Sequence, residues 1–245
     1  MAGDNEISAP TRTVRVFRSQ HLILHTDLER SDARKVLNQL SRKLREVASY
    51  WERSVTDPIR CYVIDDLDAW TVEELDDSYA AEVIQRVGGF ATRHPSGAKM
   101  YSSSDMDVVL HEIVHAYCLE AFPSSGPDWY KEGMACLFAN QTVQDGVQVN
   151  KEVIDYLRGA KHRTARSIFE SRQFTSPIAN IIQAAVDRNN SDKKPAAEVT
   201  TEDRAFFTKS ANTASEQKLI DEANASYQWS WALCYFLENL SLIHI

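Results

Sequence analysis

The chain is short of glycine, with 8 among 245 residues. None forms the Gly-rich loop that cradles phosphates, which excludes nucleotide sites of that kind. Its cysteines, Cys61, Cys118, Cys136 and Cys234, are too few and too scattered for a disulfide framework. Basic charge is in deficit: 27 Lys and Arg stand against 35 Asp and Glu, for a net charge of −8 and a pI near 5.4. That balance argues against nucleic acid or an anionic membrane as partner. Arg42-Lys43-Arg45 reads as the solvated face of a helix rather than as a basic patch. No apolar run reaches the ~20 residues of a membrane span, because Glu112, Glu120 and Glu238 interrupt the best candidates. Residues 1–10 lack the apolar stretch of an export signal. There is no internal repeat, and the one markedly polar tract, residues 187–195, reads as a loop.

What is present is a hydrophobic content of 43%, enough to bury a sizeable core. Residues 13–17 and 22–24 have the alternation of two strands, and residues 60–64 that of a third. Between them, residues 31–51 make a long helix with Val36, Leu37, Leu40, Leu44 and Val47 on one face. The acidic stretch 65–77 holds a short helix around 69–75, and residues 88–101 read as a hairpin about a His94-Pro95-Ser96-Gly97 turn, where His94 is a turn residue. After Asn140 the chain turns helical and looser, with candidates at 153–160, 167–171, 177–186 and 226–239.

The most informative segment is His111-Glu112-Ile113-Val114-His115. Residues i and i+4 lie one above the other on a helix, so two imidazoles can converge on one metal with Glu112 beside them. Asp107, Val108, Leu110, Ile113, Val114, Tyr117, Cys118 and Leu119 make a mostly apolar helix around the motif, and Ser102-Ser103-Ser104-Asp105 offers its N-cap. Catalytic zinc takes three protein ligands and leaves a fourth position to water. Glu132, in Trp129-Tyr130-Lys131-Glu132-Gly133-Met134-Ala135, would complete a set of two His and one Glu. The metzincin pattern is excluded, since Cys118 and Ala121 stand where its Gly and third His belong.

Together, His25-Thr26-Asp27, the H-E-x-x-H helix, Pro127-x-Trp129-x-x-Glu132-Gly133-x-Ala135 and Tyr227-x-x-Ser230-Trp231-Ala232-Leu233 resemble the peptidase-MA-like gluzincin domains, many of them of unknown function, over residues 14–237. The resemblance implies an α+β, zincin-like metallopeptidase fold. In it a small mixed or antiparallel sheet with helices lies above an active-site helix, and the C-terminal half is mostly helical. It implies a sheet-containing upper half at 13–122 and a helical lower half at 123–239 within one catalytic unit, after a flexible stretch at 1–12. The ligands implied are His111, His115 and Glu132, the cofactor Zn2+, and the substrate a peptide or protein whose extended segment pairs with the edge strand of the hairpin. Glu112 would take a proton from water and pass it to the leaving amine. Tyr227 is the candidate donor to the oxyanion, its other reading being a half-buried aromatic at a helix start; Tyr130 and Tyr117 are rivals.

Two positions depart from the pattern: Lys131 replaces the usual Asn before the ligand Glu, and Cys136 stands where thermolysin-like enzymes have the Asp that orients a zinc His. The partner that orients the imidazoles is thus unidentified, and such partners tune metal affinity by ~10–100-fold. Cys118 and Cys136 fit core packing or a bridge between adjoining helices. The alternative function is a gluzincin-fold binding or scaffold protein with a structural or inactive metal site. Domains of this kind are often exported, which leaves the compartment open. The last six residues, Leu240-Ser241-Leu242-Ile243-His244-Ile245, match the translation of a transposase-adapter end, so residues 240–245 are expected to be a non-native tail and His244 has no role.

Overall fold

The computed structural model describes residues 13–124, 126–139, 142–144, 147–149, 151–160, 163–169 and 214–239. The expected helix at 177–186, the polar loop at 187–195 and the ends at 1–12 and 240–245 lie outside them.

Strands β1 (Arg15–Arg18), β2 (Leu22–Thr26), β3 (Ile59–Ile64), β4 (Gly89–His94) and β5 (Gly97–Ser103) form one sheet in the order β1-β2-β3-β5-β4. The sheet is mixed, so the chain is an α+β protein: β3 runs parallel to β2 and β5, while the β1–β2 and β4–β5 pairs are antiparallel. A parallel neighbour needs a crossover of a dozen or more residues. Helix α1 (Arg30–Tyr50) supplies it between β2 and β3. Its buried face is Ala33, Val36, Leu40, Leu44 and Val47, close to the expected stripe, with Leu37 only partly buried.

Strand β3 is nearly all buried because both faces of the sheet are covered. On one face Leu22, Leu24, Cys61, Val63 and Met100 meet α1 and α4 (Met106–Ala121). On the other, Tyr62, Ile64, Phe90 and Tyr101 meet Trp70, which caps a 3-10 turn (Leu67–Ala69), Leu75 of α2 (Val72–Leu75), and Val83 and Ile84 of α3 (Ala80–Val87). Each such side chain contributes on the order of 1.5–3 kcal/mol of burial. The acidic stretch therefore holds two short elements rather than one, and α3 was not legible in the sequence pattern.

Below α4 lie α5 (Asp128–Ala139), a hairpin of β6 (Thr142–Gln144) and β7 (Val147–Val149), α6 (Lys151–Gly159), α7 (Ala165–Phe169) and α8 (Ala214–Asn239). The expected helix at 226–239 is the C-terminal half of α8, and β6–β7 went unforeseen. Gly133 of α5 packs on α8 so closely that a Cβ there would stand 2.5 Å from both Ser230 O and Cys234 Sγ. Lys43 departs from the solvated face expected of Arg42-Lys43-Arg45: it donates to Phe138 O at 2.5 Å, at the C-terminal end of α5, and pairs with Glu46 at 2.8 Å. An ammonium at that end satisfies carbonyls the helix leaves open.

The His25-Thr26-Asp27 segment has a structural part. Asp27, 2% exposed, accepts from the backbone N–H of Asp65 at 2.9 Å and of Asp66 at 2.8 Å, and from Trp70 Nε1 at 3.1 Å. It thereby fixes the turn that leaves β3. Asp27→Ala strands these donors, and we expect it to cost about 3 kcal/mol in chemical denaturation; a loss below about 1 kcal/mol would mean that the turn is held by other contacts.

Candidate functional site

Helix α4 is capped by Asp105, whose carboxylate accepts from the Asp107 N–H at 2.9 Å, a bond of about 1 kcal/mol. Ser102 and Ser103 belong to β5 instead, so of the four expected cap candidates the last one serves. The helix buries Val109, Ile113, Val114, Ala116 and Tyr117 among sheet, α1 and α5. Its remaining side presents His111 and His115 to a cleft of about 180 Å³, where Glu112 also lies, 7% exposed. The other walls are Gly89, Phe90 and Ala91 of β4, Leu119 of α4, Lys131 and Glu132 of α5, and Tyr227 of α8.

Three atoms converge there: His111 Nε2 and His115 Nε2 stand 3.0 Å apart, and Glu132 Oε2 lies 3.3 Å from the first and 3.2 Å from the second. Ligand atoms held at ~2.0–2.1 Å around a tetrahedral zinc are spaced by about 3.3–3.4 Å. The observed triangle is that of three tetrahedral corners, so the donor set fits the ion in both chemistry and spacing. Among the described residues, it is the one group of three or more His, Cys, Asp or Glu side chains close enough to share a metal.

Electrostatics follow the same geometry. Burial disfavours the His111 imidazolium, yet Cys136 and Glu132 outweigh it and raise the ring to about 10. For His115 burial is again opposed, mainly by Glu132, and the value rises to about 9. Glu132 is pulled well below the carboxylate range, its burial overcome by the two imidazoles. Burial pushes Glu112 above that range.

Glycine decides how near β4 comes to the motif helix. A Cβ on Gly89 would lie 2.8 Å from Tyr101 O and 2.9 Å from Glu112 Cγ. The absent side chain leaves room for the stem of Glu112.

Tyr227 sits with its ring edge-on to His111, 6.1 Å between centroids, and burial raises its hydroxyl well above the usual range, with Glu132, Cys136 and Glu112 adding to the effect. Its rivals are elsewhere. Tyr117 donates to Arg53 O at 2.7 Å and stacks on Trp51, and Tyr130 accepts from Trp51 Nε1 at 3.2 Å. Lys131 pairs with Asp128 one turn back at 2.5 Å, which balances its charge beside Glu132. His94, expected in the turn, is instead the last residue of β4, paired with Gly97, and its Nδ1 lies 2.8 Å from Ser96 Oγ. Among the cysteines, Cys118 is buried in the core as expected and no bridge to Cys136 exists. Cys136 is partly buried and packs against the core, and its Sγ also lies 3.8 Å from His111 Nδ1. Sequence reasoning missed that contact, although its position four after Glu132 was the signal.

Burial opposes protonation, but Glu132 and, at His111, Cys136 raise both imidazoles above the usual histidine range, so protons compete with a metal for the ring nitrogens and the sign of the pH effect follows. Zinc affinity is expected to rise with pH through neutrality. Calorimetric titration in buffers of different ionisation enthalpy should detect proton release; a pH-independent affinity would contradict it. Compared with protein-family models and with curated proteins, the chain matches none, and what the site does has to be read from its own side chains.

Proposed function

We propose that the chain is a zinc metallopeptidase of gluzincin type, with a zincin-like fold, hydrolysing peptide bonds in peptides or proteins. The observation that carries this reading is the triangle of His111, His115 and Glu132 at 3.0–3.3 Å, opening on a cleft that Glu112 and Tyr227 also line. A zinc ion held there would supply Lewis acidity toward a substrate carbonyl and toward water.

The chain's own groups divide the remaining work. Glu112 is ionisable, buried and beside the ligands, and its raised basicity suits a general base that takes a proton from water and returns it to the leaving nitrogen. Tyr227 is held protonated far above neutral pH, so its O–H is available to donate to the oxygen that gains charge in the transition state. Lys131, tied to Asp128, leaves the Glu132 carboxylate free for the metal.

Purified protein is expected to contain one zinc per chain. Substituting His111→Ala should abolish that stoichiometry. Glu112→Gln should keep the metal and lose activity on a peptide library by ~10²–10⁴, and Tyr227→Phe should lower the rate by ~10²–10³ with zinc retained. Full zinc occupancy with no turnover on any peptide would instead support a binding module built around the same ion.

A further inference from the structure

We propose, on the footing of a zinc site at His111, His115 and Glu132, that Cys136 is the positioning residue of that centre, its thiol sulfur accepting the Nδ1–H of His111 so that Nε2 is aimed at the metal. Cys136 follows Glu132 by one helical turn, and residues at that spacing share a face. The side of α5 that supplies the carboxylate therefore also supplies the sulfur, 3.8 Å from His111 Nδ1.

The tautomer follows from the other nitrogen. His111 Nε2 is the atom that meets His115 Nε2 at 3.0 Å and Glu132 Oε2 at 3.3 Å. A neutral imidazole whose Nε2 lone pair faces a cation carries its proton on Nδ1, and that N–H needs an acceptor. The sulfur lies on the Nδ1 side of the ring, outside the group of converging ligand atoms supplied by His111, His115 and Glu132.

The other thiols serve elsewhere. Cys61, Cys118 and Cys234 are buried in the core, and burial pushes Cys118 and Cys234 up to about 12. Cys136 is partly exposed instead.

A sulfur is a weaker acceptor than a carboxylate oxygen. The ring is then less firmly oriented than a carboxylate would hold it, and weaker metal retention is the consequence.

Chelator competition on the full chain measures the zinc Kd directly. Cys136→Ala is expected to weaken binding by about 10–100-fold, with thermal unfolding of the metal-free protein unchanged, and Cys136→Asp to bind at least as tightly as the parent. Cobalt-loaded parent protein should lack a sulfur-to-metal charge-transfer band. An Ala variant that binds as tightly as the parent, an Asp variant as weak as Ala, or a charge-transfer band marking direct ligation would each overturn the positioning role while leaving the metal site standing. A parent protein that binds no zinc would remove both.

Discussion

Two imidazole nitrogens and a carboxylate oxygen lie within 3.3 Å of one another, partly shielded from water. Contacts this short need protons or a cation between the three atoms. Without a metal protons fill that place: Glu132 is held ionised and favours the imidazolium form of its neighbours. At this separation an ion pair is worth about 5 kcal/mol at an effective dielectric constant near 20. With a metal the protons leave and the same geometry serves coordination. Either way the approach of α5 to α4 is the constraint on which the cleft depends.

That approach is enforced from outside the site. Helix α5 is gripped on its far side by α8, where Gly133 permits contact with Ser230 and Cys234. Its C-terminal end is held by Lys43 of α1, and α1 reaches α8 through Tyr50, which donates to Glu238 Oε2 at 2.5 Å. Because α8 also carries Tyr227, the clamp that brings Glu132 toward the imidazoles places the phenol over the His111 ring. A bulkier residue at Gly133 would shift carboxylate and phenol together.

The parts legible in the sequence are those written in local periodicity. Two His four residues apart need only a helix to converge, and the apolar residues around them state that helix plainly. Glu132 was legible from its resemblance to gluzincin pairs, and Tyr227 from the motif that follows them. Cys136 against His111 was not, since it depends on how two helices cross. Lys43 failed for the same reason: Arg42 and Arg45 beside it are exposed, and its partner is a carbonyl 95 positions away. Helix α3 was hidden by the acidic residues before it, and the three-residue strands β6 and β7 are too short to show alternation. Asp27 was visible only as part of a pattern, and its work is to accept three N–H groups at the end of β3.

The place of Glu112 is set in part by the opposite face of the sheet. His25, Tyr62, Tyr101 and Phe90 are paired across β2, β3, β5 and β4, and their rings stack with centroids 4.6–4.8 Å apart. Beside this ladder Lys99, 2% exposed, reaches Asp76 at 2.7 Å, and Asp76 adopts a left-handed φ of 53° to receive it. Ring pairs of this kind are worth about 0.5–1.5 kcal/mol each beyond the area they bury, so the register of β4 on β5 is strongly held. Register matters here because a slip of one residue turns every side chain to the other face. It would take Phe90 out of the ladder and put it where Gly89 now makes room for Glu112. Glu112 can therefore be disturbed from the far side of the sheet without any change to a residue of the cleft.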